Sequence, residues 1–186
     1  QRVHPYGPGG GGMTLSGGEP LFQPDFAIAL LKAAKAEGLH TCLDTCGDVP
    51  WETLARALPF VDLLLYDLKS TDSQRHRQWT GRSSRRILEN LRGLTRNGAA
   101  VKLRMPLVPG FNDRPEDIAA AAAFIVGLRH APPLELLPYH KLGEGKYEAL
   151  GINCGFRAEP PARGGVEALA HEPEILFLDE PTAGVD

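Results

Sequence analysis

Long hydrophobic runs are missing from this sequence. No apolar stretch approaches the ~18 residues of a membrane helix. The strongest, Val61-Asp62-Leu63-Leu64-Leu65-Tyr66, has the length of a strand. Nothing at the start reads as a signal peptide. Cysteine is scarce: Cys42, Cys46 and Cys154 are an odd number and too few for a secreted disulfide scaffold. Charge of one sign is lacking as well. With 20 basic and 23 acidic residues, and a formal net charge of −3, a large nucleic-acid footprint is not expected. These absences predict a soluble, cytoplasmic protein that partners neither membrane nor nucleic acid. What remains is ample for a core, since 42% of the residues are hydrophobic, too many for a disordered chain. A length of 186 residues suits one domain with an incomplete second piece. The sequence opens on Gln1 rather than Met and stops at Asp186 just past an apolar run, so it reads as part of a longer one.

Along the chain, strand-like and helix-like segments alternate. Behind a glycine-rich lead-in, Gly7 to Gly12, comes a short strand over Met13–Ser16. Pro24-Asp25 opens a helix that runs to about Glu37 and stops at Gly38. Strands follow at Leu39–Leu43, Val61–Tyr66, Ala99–Met105 and Leu134–Leu137, and helices at Pro50–Leu58, Ser83–Arg96 and Arg114–Arg129. The continuous apolar run Val61–Tyr66 is of the kind that is buried on both faces in parallel sheets. Repeated strand-helix units predict an α/β fold with a parallel sheet.

In such folds function sits where strands end and loops begin. The five strand ends carry Ser16-Gly17-Gly18-Glu19-Pro20, Asp44-Thr45-Cys46-Gly47, Asp67-Leu68-Lys69, Pro106 with Val108-Pro109-Gly110, and Pro138-Tyr139-His140. Any one of these is ordinary turn chemistry. Five converging on one rim suit a small molecule carrying an amine, a carboxylate and a ribose. Asp44 and Asp67 end neighbouring strands, so their carboxylates are expected to meet, and to repel unless a cation sits between them.

Four blocks in order carry a resemblance: Thr14-Leu15-Ser16-Gly17-Gly18-Glu19-Pro20, His40 to Gly47, Leu65-Tyr66-Asp67-Leu68-Lys69, and Leu136 to Gly143. Together they resemble the glycyl-radical-enzyme activating enzymes of the radical S-adenosylmethionine (SAM) superfamily, such as pyruvate formate-lyase activating enzyme. The resemblance implies a partial (β/α) barrel of parallel strands, lacking here the first strand and cluster loop of the radical SAM core. It implies SAM and a [4Fe–4S] cluster as cofactors, and a 5′-deoxyadenosyl radical that abstracts hydrogen from a glycine of a partner glycyl radical enzyme. An electron donor such as flavodoxin would be a second partner. By the same resemblance Gly17, Gly18 and Glu19 hold the amino group of SAM, and Lys69 its carboxylate. Asp44, Thr45, Asp67 and the carbonyl of Leu65 would hold a Na⁺ or K⁺ ion beside that carboxylate. Arg104 and His140 lie near ribose and adenine; Arg104 is equally an ion-pair partner inside the barrel.

The family's cluster loop carries C-x3-C-x2-C, upstream of the first motif. Cys42 and Cys46 give C-x3-C, but position 49 is Val49 and the loop is the wrong one, so no cluster ligand is assigned. Cys42 reads as a buried strand residue and Cys46 as a rim residue without a role. The tail, Ala170 to Asp186, resembles the Walker B strand and D-loop of an ABC-transporter ATPase. The expected organisation is therefore lead-in 1–12, partial barrel 13–151, linker 152–167 and Walker-B-like tail 168–186. An ATPase fragment is the rival reading, because Leu15 to Glu19 mimics the ABC signature and Gly7 to Thr14 a phosphate loop. Met13 stands where that loop needs lysine, which counts against it. A non-catalytic binding fragment is the other alternative.

Overall fold

The computed structural model describes residues 11–141, 144–153, 156, 158 and 176–177. Six strands form one parallel sheet in chain order: β1 Gly12–Leu15, β2 His40–Thr45, β3 Leu63–Asp67, β4 Val101–Leu107, β5 Leu134–Pro138 and β6 Leu176–Phe177. Between them run α1 Pro24–Ala36, α2 Trp51–Ala57, α3 Ser73–Thr80, α4 Arg85–Arg96 and α5 Pro115–Val126, with α6 Glu144–Ala149 after β5. This is the expected partial barrel. Of the tail, Leu176 and Phe177 are described, and they pair in parallel with Leu134 and Glu135. Residues 1–10 of the lead-in, Leu142, Gly143, Cys154, most of the linker and the rest of the Walker-B-like stretch lie outside the described residues.

The elements form for local reasons. Pro24 supplies the pre-set first turn of α1, and Gly38, at φ +75°, closes it in a conformation that costs other residues energy. Asn97 caps α4 and Gly98, at φ +71°, ends it the same way. Alternation along the strands then builds a two-sided sheet. Leu43, Leu64, Tyr66, Val101, Leu103, Met105, Leu107, Leu134 and Leu136 point to one face and pack in a single cluster with Leu31, Leu54, Leu91, Leu94 and Ile125 of the helices.

The opposite face is not apolar, and this corrects the reading of Val61–Tyr66. The strand starts at Leu63, and Leu64 and Tyr66 are buried while Leu63, Leu65 and Asp67 are only half-buried. Helices cover one face of this sheet; the concave inner face carries Asp44, Asp67, Lys102, Arg104 and Glu135, so it is polar. A second difference is α3, which sequence periodicity did not reveal. It has almost no apolar residues, and its ends make it. The Asp72 carboxylate accepts from the backbone N–H of Gln74 and Arg75 at 2.8 and 3.0 Å, and Gly81 closes it at φ +77°. Trp79 on this helix stacks on Phe111, ring centroids 5.1 Å apart.

Candidate functional site

The rim is built from the loops after β1 to β5. After β1, Gly17 takes φ +133°, a conformation other residues rarely adopt, and with Gly18 leaves its backbone exposed with open space around it. The Glu19 side chain turns back into the protein. Its carboxylate accepts from the Thr45 hydroxyl (2.8 Å), the Cys46 N–H (3.1 Å), the Leu21 N–H (3.1 Å) and the Cys46 thiol (3.2 Å). It thereby braces the Gly17-Gly18 loop against the end of β2. Burial pushes the Cys46 thiol up, and the neighbouring Glu19 carboxylate adds to the effect.

Asp44 and Asp67 do meet. Both accept from Nη2 of Arg104, at 2.8 Å for Asp67, and Ser16 Oγ donates to Asp44 at 3.0 Å. The register explains it, since Asp67 lies opposite Arg104 and Asp44 opposite Leu65 in adjacent ladders. Desolvation pulls the arginine pKa down, but the carboxylates of Asp67 and Asp44 outweigh it and raise it. Lys69 Nζ stands 3.8 Å from the second oxygen of Asp67. One layer deeper on the inner face, Lys102 pairs with Glu135 at 3.2 Å. Of the two open readings for Arg104, the ion-pair partner is what this geometry displays.

Not every candidate joins this cluster. The buried Thr45 hydroxyl faces Glu19, not the Asp44–Asp67 pair, because consecutive strand residues point to opposite faces. Leu65 lies half-buried on the inner face between the two aspartates. His140 stands exposed two residues past β5 and makes no hydrogen bond or ion pair to the cluster. One contributor escaped sequence reasoning. Asn112, fully buried, donates to the carbonyls of Lys69 and Pro106 at 2.7 and 2.8 Å and accepts from the Val108 N–H at 2.7 Å. It ties the β3 and β4 rim loops together. An asparagine inside the Pro109-Gly110-Phe111-Asn112-Asp113 turn was the available signal.

The inner face has an unsatisfied donor. Arg104 Nε is buried and has no hydrogen-bond partner, and among the described residues it is the one such side-chain atom. A buried donor left unpaired costs about 1–3 kcal/mol, so an acceptor arriving on this face would remove a penalty. Arg104, Lys69 and the exposed backbone of Gly17 and Gly18 thus fit a small zwitterion with a carboxylate and further acceptor atoms, which SAM is. A metal cluster is not supported in the same way. Among the described residues no three His, Cys, Asp or Glu side chains gather as a metal site. The Cys42 thiol is buried, beside the Thr14 side chain and the Leu65 backbone, and Cys46 binds Glu19. The described part of this chain therefore supplies no cluster ligand.

Parallel strands in chain order, with carboxylates and glycines at the strand ends and an arginine of β4 bridging two of them, define a partial (β/α) barrel with a polar inner face. The radical SAM superfamily profile matches residues 2–122, and the chain belongs to that superfamily. Several of its relatives are named as activating enzymes. It is 49% identical over 147 residues to the isethionate sulfite-lyase activating enzyme of Nitratidesulfovibrio vulgaris, covering 78% of this chain and 47% of that one. It is 40% identical over 171 residues to the pyruvate formate-lyase-activating enzyme of Staphylococcus epidermidis, covering 86% of this chain and 68% of that one. A crystallised domain of a pyruvate-formate lyase-activating enzyme from Bacteroides vulgatus superposes with a TM-score of 0.74 at 29% identity, over 91% of this chain and 99% of that one. The chain spans about half the length of the first relatives it matches. Among the described residues no helix is long and apolar enough to cross a membrane. Against the ATPase rival, Gly12–Leu15 is a strand, and among the described residues before Pro24 there is no helix of more than three residues for a phosphate loop to feed.

Proposed function

We infer that this chain is the SAM-binding portion of an activating enzyme that installs a glycyl radical on a partner enzyme. The observation that carries the reading is the Arg104–Asp44–Asp67 cluster at the rim, with Lys69 beside it and a buried guanidinium donor left over. When bound, SAM supplies the hydrogen-abstracting chemistry of the family. The chain's own residues bind and orient it. The Gly17-Gly18 backbone approaches its amino group, braced from behind by Glu19, and Lys69 meets its carboxylate. Arg104 offers the free Nε to the acceptors on the nucleoside side, and His140 is placed by resemblance near the same end. A glycine loop of the partner enzyme enters over the same rim, and an electron-donor protein such as flavodoxin is the second partner.

A finer reading adds a Na⁺ or K⁺ ion held by Asp44, Thr45, Asp67 and the Leu65 carbonyl. Its support is the convergence of the two carboxylates. The ion competes there with the Arg104 guanidinium, and Thr45 reaches it only by leaving Glu19. Titration calorimetry of SAM tests the main reading. Binding is expected in the presence of Na⁺ or K⁺, with Lys69→Met weakening it by roughly tenfold, as befits loss of one charge-assisted contact of about 1.4 kcal/mol. No heat at millimolar SAM would remove the proposal. Equal affinity in choline chloride, without either ion, would remove the cation.

A further inference from the structure

The densest charge away from the inner face lies on one flank. Between Ser73 and Arg96 the chain carries seven arginines and one acid, Glu89, in a molecule whose net charge is −3. Helices α3 and α4 fold this segment back on itself. A cleft of about 590 Å³ opens there, lined by Arg77, Arg82, Arg85 and Arg86, with Asp48 and Glu89 as its acids. Asp48 closes the loop after β2 and α3 follows the loop after β3, so the cleft adjoins the rim. Asp48 draws two of the guanidiniums, Arg86 at 3.4 Å and Arg82 at 4.0 Å. Arg77 and Arg85 are exposed and form no ion pair among the described residues. Neither the mechanism above nor the sheet uses any of them.

We propose that this cleft docks an acidic segment of a partner protein. Exposed guanidiniums on long stems hold a lone anion poorly, because one solvated ion pair shifts an equilibrium by no more than about fivefold. A peptide with several carboxylates meets Arg77 and Arg85, which form no ion pair among the described residues, with Arg82 and Arg86 beside them on Asp48, and a guanidinium can take a carboxylate through two N–H groups. Such a patch also speeds the encounter with a negatively charged surface. A nucleic acid is the poorer occupant, since no aromatic side chain lines the cleft for base stacking. The inference rests on the proposed function only for why a protein should dock beside this rim.

The test is fluorescence anisotropy of a labelled hexaglutamate peptide on the whole 186-residue chain, at about 20 mM salt, where screening is weak. Wild type is expected to bind it and to ignore hexalysine. The double variant Arg77→Glu/Arg85→Glu is expected to bind at least about tenfold more weakly. Lys32→Glu/Arg129→Glu makes the same change in net charge at exposed sites away from the cleft, and is expected to stay within about twofold of wild type. Equal weakening in both variants would overturn the proposal, because the effect would belong to overall charge. So would absence of peptide binding, or an oligothymidylate that displaces the peptide at lower concentration than hexaglutamate itself. If circular dichroism shows charge reversal to unfold the chain, Arg77→Gln/Arg85→Gln carries the same test. SAM calorimetry on the wild-type sample separates the two ideas: no peptide binding by wild type, with its SAM binding intact, sinks the docking site alone.

Discussion

Replacing Arg104 with methionine keeps the bulk of its stem and removes the charge between Asp44 and Asp67. Two carboxylate oxygens bonded to one nitrogen, at ~3 Å each, lie within ~6 Å of each other. At the effective dielectric of about 20 that suits partly buried sites, two such charges repel by about 3 kcal/mol. The side chains of Asp44 and Asp67 are 21% and 25% exposed, so water relieves part of this. The repulsion left is then about 2 kcal/mol, and losing the unpaired Nε donor returns about 1 kcal/mol of it, so the melting temperature of a chain this size falls by roughly 2–4 °C. Differential scanning fluorimetry at pH 7 and low salt reads it. Because the cost is repulsion, adding Asp44→Asn to Arg104→Met is expected to recover at least about half of it, a coupling a double-mutant cycle isolates. A variant that melts within about 1 °C of wild type, or a double variant no better than the single, would refute the claim that Arg104 neutralises this pair.

Gly47→Ala is expected to cost at least about 3 kcal/mol, or to abolish folding, because Gly47 sits at φ +70° and an added Cβ would stand 1.9 Å from the hydroxyl of buried Tyr66; urea denaturation measures it. For Asp62, the Lys35 ammonium and then the Thr41 N–H hold the carboxyl well below the usual range, so its stabilising effect is present above the ordinary aspartate pKa of about 4 and is lost as pH falls below it. Melts of wild type and Asp62→Asn are therefore expected to differ at pH 7 and to converge toward pH 2, and a gap that widens on acidification would contradict this. Glu19→Gln places an amide N–H₂ among donors, leaving one of Leu21 N–H, Cys46 N–H or Thr45 O–H unmet at about 1–2 kcal/mol; a lower melting point without any SAM present is the expected sign, and an unchanged one would mean Glu19 is no brace.

How far the sequence spoke depended on whether the signal was local. Pro24 and Gly38 bracket α1, and that helix appears with its ends within a residue of expectation. The strand over Val61–Tyr66 was visible as an apolar run, but its register was not. Nothing in Leu63-Leu64-Leu65 says which leucines meet helices and which meet an open polar face; the neighbouring ladders decide that. Helix α3 was hidden because its stability is in its caps and in the Trp79–Phe111 contact, neither of which is periodic. The rim residues Asp44, Asp67 and Lys69 were legible because strand ends in parallel sheets converge. The partners of Glu19 were not, since Thr45 and Cys46 lie 26 and 27 residues away and only the folded loop brings them together.

The same strand-end motif performs two jobs, and alternation is the reason. Asp44 and Thr45 are neighbours in sequence, yet Asp44 points into the barrel and Thr45 away from it. The inward residue joins a charged surface with Arg104 and Asp67. The outward residue locks onto Glu19, so the Gly17-Gly18 backbone that precedes it is held without any side chain of its own. Gly47 continues the pattern: its N–H donates to the Thr45 hydroxyl at 2.9 Å, and its carbonyl accepts from buried Asn90 of α4 at 2.8 Å. The turn after β2 is thereby tied to helix α4 behind it. That division explains why glycines can line the mouth of the site despite their cost in chain entropy. The order they lack is imposed from the buried side by Glu19, Thr45 and Asn90. On the inner face Ser16 and Arg104 hold Asp44 and Arg104 holds Asp67, and Arg104, bonded to both aspartates through one nitrogen and unpaired at another, keeps one donor over for a further acceptor.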